Sequence, residues 1–387
     1  MFFLTDQDPN YRIKGSRDPL GFQPIWQSLG RKVVKYLSTV SVNLKDFQVL
    51  SYGWYFYGDR DPKDFLKFFL KFEQAFGFAR GIYLKDDSFN GVDFVRKNTN
   101  QPSFQFSNRN EHTLLSNQKS YGIYGKYNRP FTEMRIKEHD DFRNVMEASL
   151  KEKVDYDILK QYVSKLLNEN VSTFTKKELI IFSDCVSKIT EQERQFYKEL
   201  ILRTDDNHVQ NEVFNIFQSN PEILEAERFN LYGFLDVLSD NTSNEELKKN
   251  LTAIKYTEQI LAPFSYLFRT LQSEPVWSKE SVTQAPIFDS FPEKIPYQFD
   301  NPVLSSFNEC FYADPFDIAL AVIKRNQDIS DNRRNAAWLK QDGDSIIICY
   351  ADGARRVTDF ELDEDFENNY FLPTYISLYR QILLNND

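Results

Sequence analysis

Three short patches of the chain carry side chains able to do chemistry. Glu138-His139-Asp140-Asp141 is the richest acidic spot, and carboxylates beside an imidazole are what a divalent-metal site for phosphodiester cleavage would use. The same residues suit a helix start, where acidic side chains meet the positive end of the helix dipole. A metal-dependent nuclease would also want a carboxylate and a Glu-x-Lys on adjacent strands, and no such pair stands on a convincing strand. The patch is therefore read as a solvated helix start. Glu138, Asp140 and Asp141 are kept as the catalytic alternative, with no metal assigned.

The second patch runs from Tyr121 to Pro130, YGIYGKYNRP, and interleaves rings with cations at Tyr124, Lys126 and Arg129. Flat rings between Lys and Arg are the material of a single-strand stacking platform. In a chain with 35 Phe and 21 Tyr, the plainer reading is a Gly-bent loop whose tyrosines pack on the core while the cations face water. The third patch is a pair of arginine doublets. Arg333-Arg334 precedes Trp338, and Arg355-Arg356 lies across an expected hairpin whose offset brings both doublets toward one end of a small sheet. They would contact phosphate or an acidic partner, or simply decorate a charged turn.

The negative results bound the chemistry further. No G-x-x-x-x-G-K-[ST] is present, and Gly122-Ile-Tyr-Gly125-Lys126-Tyr127 has the wrong spacing and no hydroxyl for magnesium. H-E-x-x-H, C-x-x-C and G-x-S-x-G are absent, and His112, His139 and His208 stand alone, so zinc and Ser-His-Asp chemistry are poorly supplied. Cys185 lies among Ile181, Phe182 and Val186 with no His near it in sequence, which reads as core rather than nucleophile. No cofactor is implied, and the balance leans away from an enzyme.

The elements that must position these patches are mostly helical. The densest stretch, Leu20 to Phe78, holds three segments. Pro24 suits the first turn of a helix reaching about Thr39, with Ile25, Leu29, Val33, Tyr36 and Leu37 near one face. Asn43 caps a second helix that is apolar nearly all round near its end, with Leu44, Phe47, Leu50, Ser51, Trp54 and Tyr55 at three-four spacing. Asp61-Pro62 opens a third, with Phe65, Phe68, Phe69, Phe72 and Phe76 as its buried stripe and Lys63, Lys67 and Lys71 as its wet face. Four successive rings, Trp54 to Tyr57, cannot share one side of a helix that turns about 100° per residue. Trp54, Tyr55 and Tyr57 are thus candidates for a partner interface.

Beyond this stretch, residues 81–137 read as short strands or ordered loops, and residues 141–272 as serial helices near 155–168, 174–188, 190–203, 208–218, 221–239 and 244–271. Thr175 with Glu178 and Thr190 with Glu193 look like capping boxes. Residues 273–303 contain five prolines and read as a linker. A helix near 314–327, a strand Ile346–Tyr350 turning at Asp352-Gly353, and a helix from Phe371 to Leu384 follow; residues 1–19 read as an extended arm. The expected class is mainly α with a minor β component (α+β). The expected domains are an N-terminal helical domain (1–140), a helical bundle or short solenoid (141–272), the linker (273–303) and a C-terminal region with a hairpin (304–387).

Composition narrows the setting. A 387-residue chain with 13 Gly favours helices over a Gly-rich nucleotide fold, and a formal charge of −10 disfavours binding nucleic acid over the whole surface. Cys185, Cys310 and Cys349 are few and scattered, as buried free thiols in a reducing compartment would be. The N-terminus lacks a cationic start and long apolar core, and no apolar run approaches the roughly 18 residues of a membrane span. A cytoplasmic protein is expected, with no membrane contact.

PIWQSLGRKVVKYLSTVSVNLKDFQVLSYGWYFY resembles the opening of uncharacterised prokaryotic proteins encoded in phage-defence gene clusters; GIYGKYNRP and Asn335-Ala-Ala-Trp338 are similar to later landmarks in them. The resemblance covers about a quarter of the chain. It implies a component of a multi-gene antiviral system, working beside nuclease, ATPase or SMC-like subunits. No active site comes with it, and the middle helical region has no counterpart. The expected function is accordingly a non-catalytic scaffold or interaction subunit of such a complex, with DNA as a further contact. A divergent metal-dependent nuclease and a DNA-binding sensor are the alternatives.

Overall fold

Asn43 starts a largely buried helix as its type predicts: its side chain accepts from the Lys45 amide at 2.9 Å, and the helix Leu44–Tyr57 follows. Phe47, Val49, Leu50 and Tyr52 on that helix are wholly buried, as a segment apolar on most sides requires. It packs on the helix Phe65–Ala79, whose five expected phenylalanines are all buried. Trp54 stacks on Phe65 with centroids 3.6 Å apart. Gly53 permits the approach, since a Cβ there would lie 2.7 Å from the Phe69 ring. Lys71, expected to face water, is buried instead and donates to the Glu169 carbonyl at 2.6 Å. Its long apolar stem covers the core while the ammonium finds a backbone acceptor.

The computed structural model describes residues 17–204, 207–224 and 229–384. The extended arm expected over residues 1–19 lies, through residue 16, outside the described residues. The chain divides into two compact units: Met1–Val33 with Glu225–Tyr370, and Val34–Leu224 with Phe371–Asp387. The boundaries expected near 140 and 272 fall inside these units. The class is mainly α with two small sheets, as the periodicity predicts.

The second unit contains the aromatic helix pair and a two-stranded antiparallel sheet, β1 (Ser103–Ser107) with β2 (Val171–Thr175). β1 is the expected PSFQFS strand; β2 replaces the start of a helix expected over 174–188, which is confined to Ile180–Cys185. The reason is the alternation in VSTFT: Ser172 and Phe174 are buried while Thr173 and Thr175 face out. Thr175 and Glu178 nevertheless exchange the hydrogen bonds of a capping box, and Thr190 with Glu193 form a complete one. The loops expected over 81–137 are largely helical, including Val92–Asn98 and Ile123–Glu133. In the latter, Ile123, Tyr127, Pro130 and Phe131 are buried at i, i+4, i+7 and i+8, a helical stripe hidden in sequence by Gly125 and Pro130.

The first unit is built around the 27-residue helix Glu245–Leu271, capped by Asn244. Helices Gln23–Val33, Leu231–Asp240, Pro302–Cys310 and Pro315–Asn332 pack on it. Gln23–Val33 ends earlier than expected, and Tyr36 takes a left-handed φ of 67°. The expected linker is folded. Its prolines space buried residues such as Trp277, Val282, Ile287 and Phe299, and it supplies β3 (Val276–Ser278). β3 joins β4 (Leu339–Asp342) and β5 (Ser345–Ile348) in an antiparallel sheet of order β3-β5-β4. The hairpin therefore turns at Gly343, not at Asp352-Gly353, because β5 pairs backwards with Leu339–Asp342 rather than forwards. Among the described residues, no helix is long and apolar enough to cross a membrane.

Candidate functional site

The first unit holds a ligand-sized cleft of about 650 Å³ at the C-terminal end of the helix Glu245–Leu271. That volume is within the range of small-molecule and peptide pockets, roughly 300–1,000 Å³. Ser265, Phe268 and Arg269, at i, i+3 and i+4, present one helix face to it, and Gln272 follows just past the helix end.

The opposite wall is the segment 17–22, and its conformation is tightly specified. Asp18 accepts from the amides of Phe22 (2.9 Å) and Gln23 (3.2 Å), which starts the helix Gln23–Val33. Gly21 has φ +64°, and a Cβ there would meet Ile329 at 2.5 Å. Arg325 donates to the Leu20 carbonyl at 2.8 Å, and Asn326 to that of Pro19 at 3.0 Å. Asn326 also accepts from the Trp338 amide at 2.8 Å, so one buried side chain positions two parts of the cleft. The Trp338 ring packs edge-on against Tyr350 and tilted against Phe268, and its indole N–H has no hydrogen-bond partner among the described residues. Trp26 packs edge-on against Tyr370.

Charge is concentrated at the cleft. Arg269 binds Glu367 through two bonds of 2.5 Å, the fork geometry that suits Arg to carboxylates. Burial pushes the Glu367 carboxyl up from its usual range, and Arg269 and Arg355 oppose that shift. Glu258, fully buried, holds the adjoining loop by accepting from the Glu367 amide (2.6 Å), the Asn368 amide (2.9 Å) and the Tyr370 hydroxyl (2.7 Å). Gln272 accepts from the Asp352 amide at 3.0 Å and so fixes the rim.

The sequence-predicted residues distribute as follows. Arg333 reaches the cleft wall, donating to the Asp18 carbonyl at 2.6 Å and to its carboxylate at 3.3 Å. Arg355 borders the cleft through its amide, 3.4 Å from the Arg269 carbonyl. Arg334 is exposed, and Arg356 lies 3.7 Å from Glu274 and over the Trp277 ring. One member of each doublet therefore meets at the cleft. Tyr124, Lys126 and Arg129 do not assemble into a platform. Tyr124 packs on Phe65 and Phe69, Lys126 is half-buried elsewhere on the helix, and Arg129 pairs with Glu133 at 2.8 Å.

Glu138, Asp140 and Asp141 are exposed, and no group of three His, Cys, Asp or Glu among the described residues could hold a metal. Of the aromatic quartet, Tyr57 is buried with its hydroxyl on the Asp61 carbonyl, while Trp54 and Tyr55 are half-buried. Cys185 is buried, and burial pushes its thiol well up; Cys349 is exposed, contrary to the expectation of three buried thiols. Sequence reasoning missed Phe22, Trp26, Arg269 and Gln272. Their signal was present only as a tryptophan in a first helix turn and an arginine in a last one, which ordinary packing and dipole terms also explain.

No His or Cys lines the cleft; Ser265 is its one hydroxyl, and Asp18, Asp352 and Glu367 are its carboxylates. The arrangement is equipped to bind, with aromatic walls, arginines and amide donors. Compared with protein-family models, curated proteins and solved structures, the chain matches none.

Proposed function

We propose that the protein is a non-catalytic interaction subunit that holds a short segment of a partner protein in the first unit's cleft. The observation carrying this reading is an aromatic-walled cleft that Arg17 and Arg269 line, with Asp18, Asp352 and Glu367 beside them and Arg333 and Arg355 at its border. A ring-lined hollow of this size, with charges of both signs on its walls, suits a short peptide segment better than a long phosphate backbone. The phage-defence resemblance supplies the setting: a multi-gene antiviral complex whose other subunits are the partners. DNA contact has less behind it, because Tyr124, Lys126 and Arg129 are dispersed.

Co-purification with the products of neighbouring genes, followed by sizing, tests the reading. The wild-type chain should co-elute with a partner, and Arg17→Glu/Arg355→Glu should lose it while unfolding at an unchanged temperature. A chain that always elutes alone, or a charge-reversed variant that still holds its partner, would overturn it.

A further inference from the structure

The second unit has a pocket of its own, of about 570 Å³, which falls within the roughly 300–1,000 Å³ of small-molecule sites. Tyr36, Arg135 and Thr204 line it, and hydrogen bonds fix the backbone at each. Tyr36 and Arg135 are two of the six described residues other than glycine with a left-handed φ, at 67° and 53°. Such a conformation persists only where the surrounding structure imposes it. The Lys35 amide beside Tyr36 donates to the buried Gln210 side chain at 2.7 Å. The Arg135 amide donates to the Thr132 carbonyl at 3.0 Å, and its carbonyl accepts from the Glu138 amide at 3.1 Å. At Thr204, Asn211 accepts from the amide at 3.0 Å and donates to the carbonyl at 2.9 Å. Thr204 is only 7% exposed, and its hydroxyl has no hydrogen-bond partner among the described residues. A buried hydroxyl left so is costly, and an occupant of the pocket would relieve it.

Water could serve that hydroxyl, but the charges on the wall ask for more. Glu133 is paired with Arg129 at 2.8 Å, and Glu199 lies 3.3 Å from Lys198 and 3.5 Å from Arg203. His139 accepts from the Asp141 amide through Nδ1 at 3.2 Å. Arg135 and Glu138 are left: both line the pocket, and neither has an ion pair among the described residues, even with the other. Both are exposed, so a ligand would meet them without a change of fold. A simple anion or cation would match one of the two and leave the other unmatched. Nor is a metal ion suited, since among the described residues no three of His, Cys, Asp or Glu converge on one. A ligand carrying both charges matches the pair, and Met134, Leu200 and the Tyr36 ring offer it apolar surface.

We propose that this pocket binds a free α-amino acid with an apolar side chain. Arg135 takes the carboxylate and Glu138 the ammonium, while the side chain lies against Met134, Leu200 and Tyr36. The Thr204 hydroxyl, able to donate or to accept, completes one of the two charged ends.

Thermal unfolding of the full chain with leucine, methionine or phenylalanine at about 10 mM puts this to the test. At least one should raise the midpoint by about 2–4 °C, as a dissociation constant near 0.1 mM would. N-acetylleucine, which lacks the ammonium, and isoamylamine, which lacks the carboxylate, should each give roughly a quarter of the leucine shift or less, because a site built for both charges rejects an analogue missing one. In calorimetric titration, Arg135→Gln and Glu138→Gln, both exposed changes that the fold tolerates, should each weaken binding by about tenfold or more. Thr204→Val, which keeps the shape and removes the hydroxyl, should weaken it about fivefold. A midpoint that ignores all three amino acids, an equal response to either truncated analogue, or an affinity unchanged in Arg135→Gln and Glu138→Gln would overturn the proposal.

Discussion

Lys153 and Glu193 meet at 2.5 Å with neither side chain exposed, and neighbours complete the pair: Tyr52 and the Cys185 carbonyl lie within 3.0 Å of the ammonium. The carboxylate also takes the Tyr52 hydroxyl and closes the Thr190 cap. A buried pair adds little over an apolar substitute, but removing one member strands a charge. Lys153→Met should therefore cost about 3–5 kcal/mol in urea unfolding, and Lys153→Met with Glu193→Leu should recover much of it. Equal losses in the single and double variants would show that the charge itself is not the problem. Glu73 gives a pH signature. Its folded value of about 7 exceeds the ordinary 4.5, so between these the folded chain holds a proton that the unfolded chain releases. Stability is greatest below this window and falls as pH rises through it, by about 3 kcal/mol once complete. Glu73→Gln should flatten that fall in denaturant midpoints measured from pH 4.5 to 8. Burial raises Glu258 as well, in the other unit, so part of the slope should persist in the variant. Of these partnerships only the Thr190–Glu193 cap was legible in sequence: Glu73 and Lys153 look like ordinary helix-surface charges until long-range packing removes their water.

The helices whose periodicity and caps agree were legible from the chain alone. Asn43 and Thr190 cap the helices expected from them, and Asp155 and Asn244 cap two more at the expected starts. The misread elements are those where local signals conflict. Gly125 and Pro130 disguise a buried helical stripe, and a five-residue strand opens what looks like a helix, because β2 is fixed by its pairing with β1 some seventy residues earlier. The Asp352-Gly353 turn signal was sound as chemistry, since Gly353 has φ +71°, but it bends the cleft rim rather than a hairpin. Close approach between elements supplies a test at this scale. Alanine is the better helix former, yet Gly53→Ala would drive a methyl to 2.7 Å from Phe69. It should destabilise the chain by about 1–3 kcal/mol by overpacking. A gain in the unfolding midpoint would mean the two aromatic helices can separate without loss.

At the scale of the molecule, the chain's order and its packing differ. The first unit joins residues 1–33 to 225–370, and the second joins 34–224 to 371–387. Composition shifts such as the proline-rich stretch mark local stiffness, not where a segment finally packs, so they do not report such joining. The same non-local assembly explains why the cleft was only half visible: Arg333 and Arg355 stood out as doublets, while Arg269 and the 17–22 wall came from distant parts of the sequence. The central claim is that this cleft, rather than the half-buried Trp54 and Tyr55, is where a partner sits. Hydrogen exchange of the chain alone and in its assembled complex tests it most directly. The account predicts new protection at amides 265–272 and 350–357, with residues 54–57 unchanged. Protection centred on 54–57, with the cleft amides exchanging as before, would contradict it.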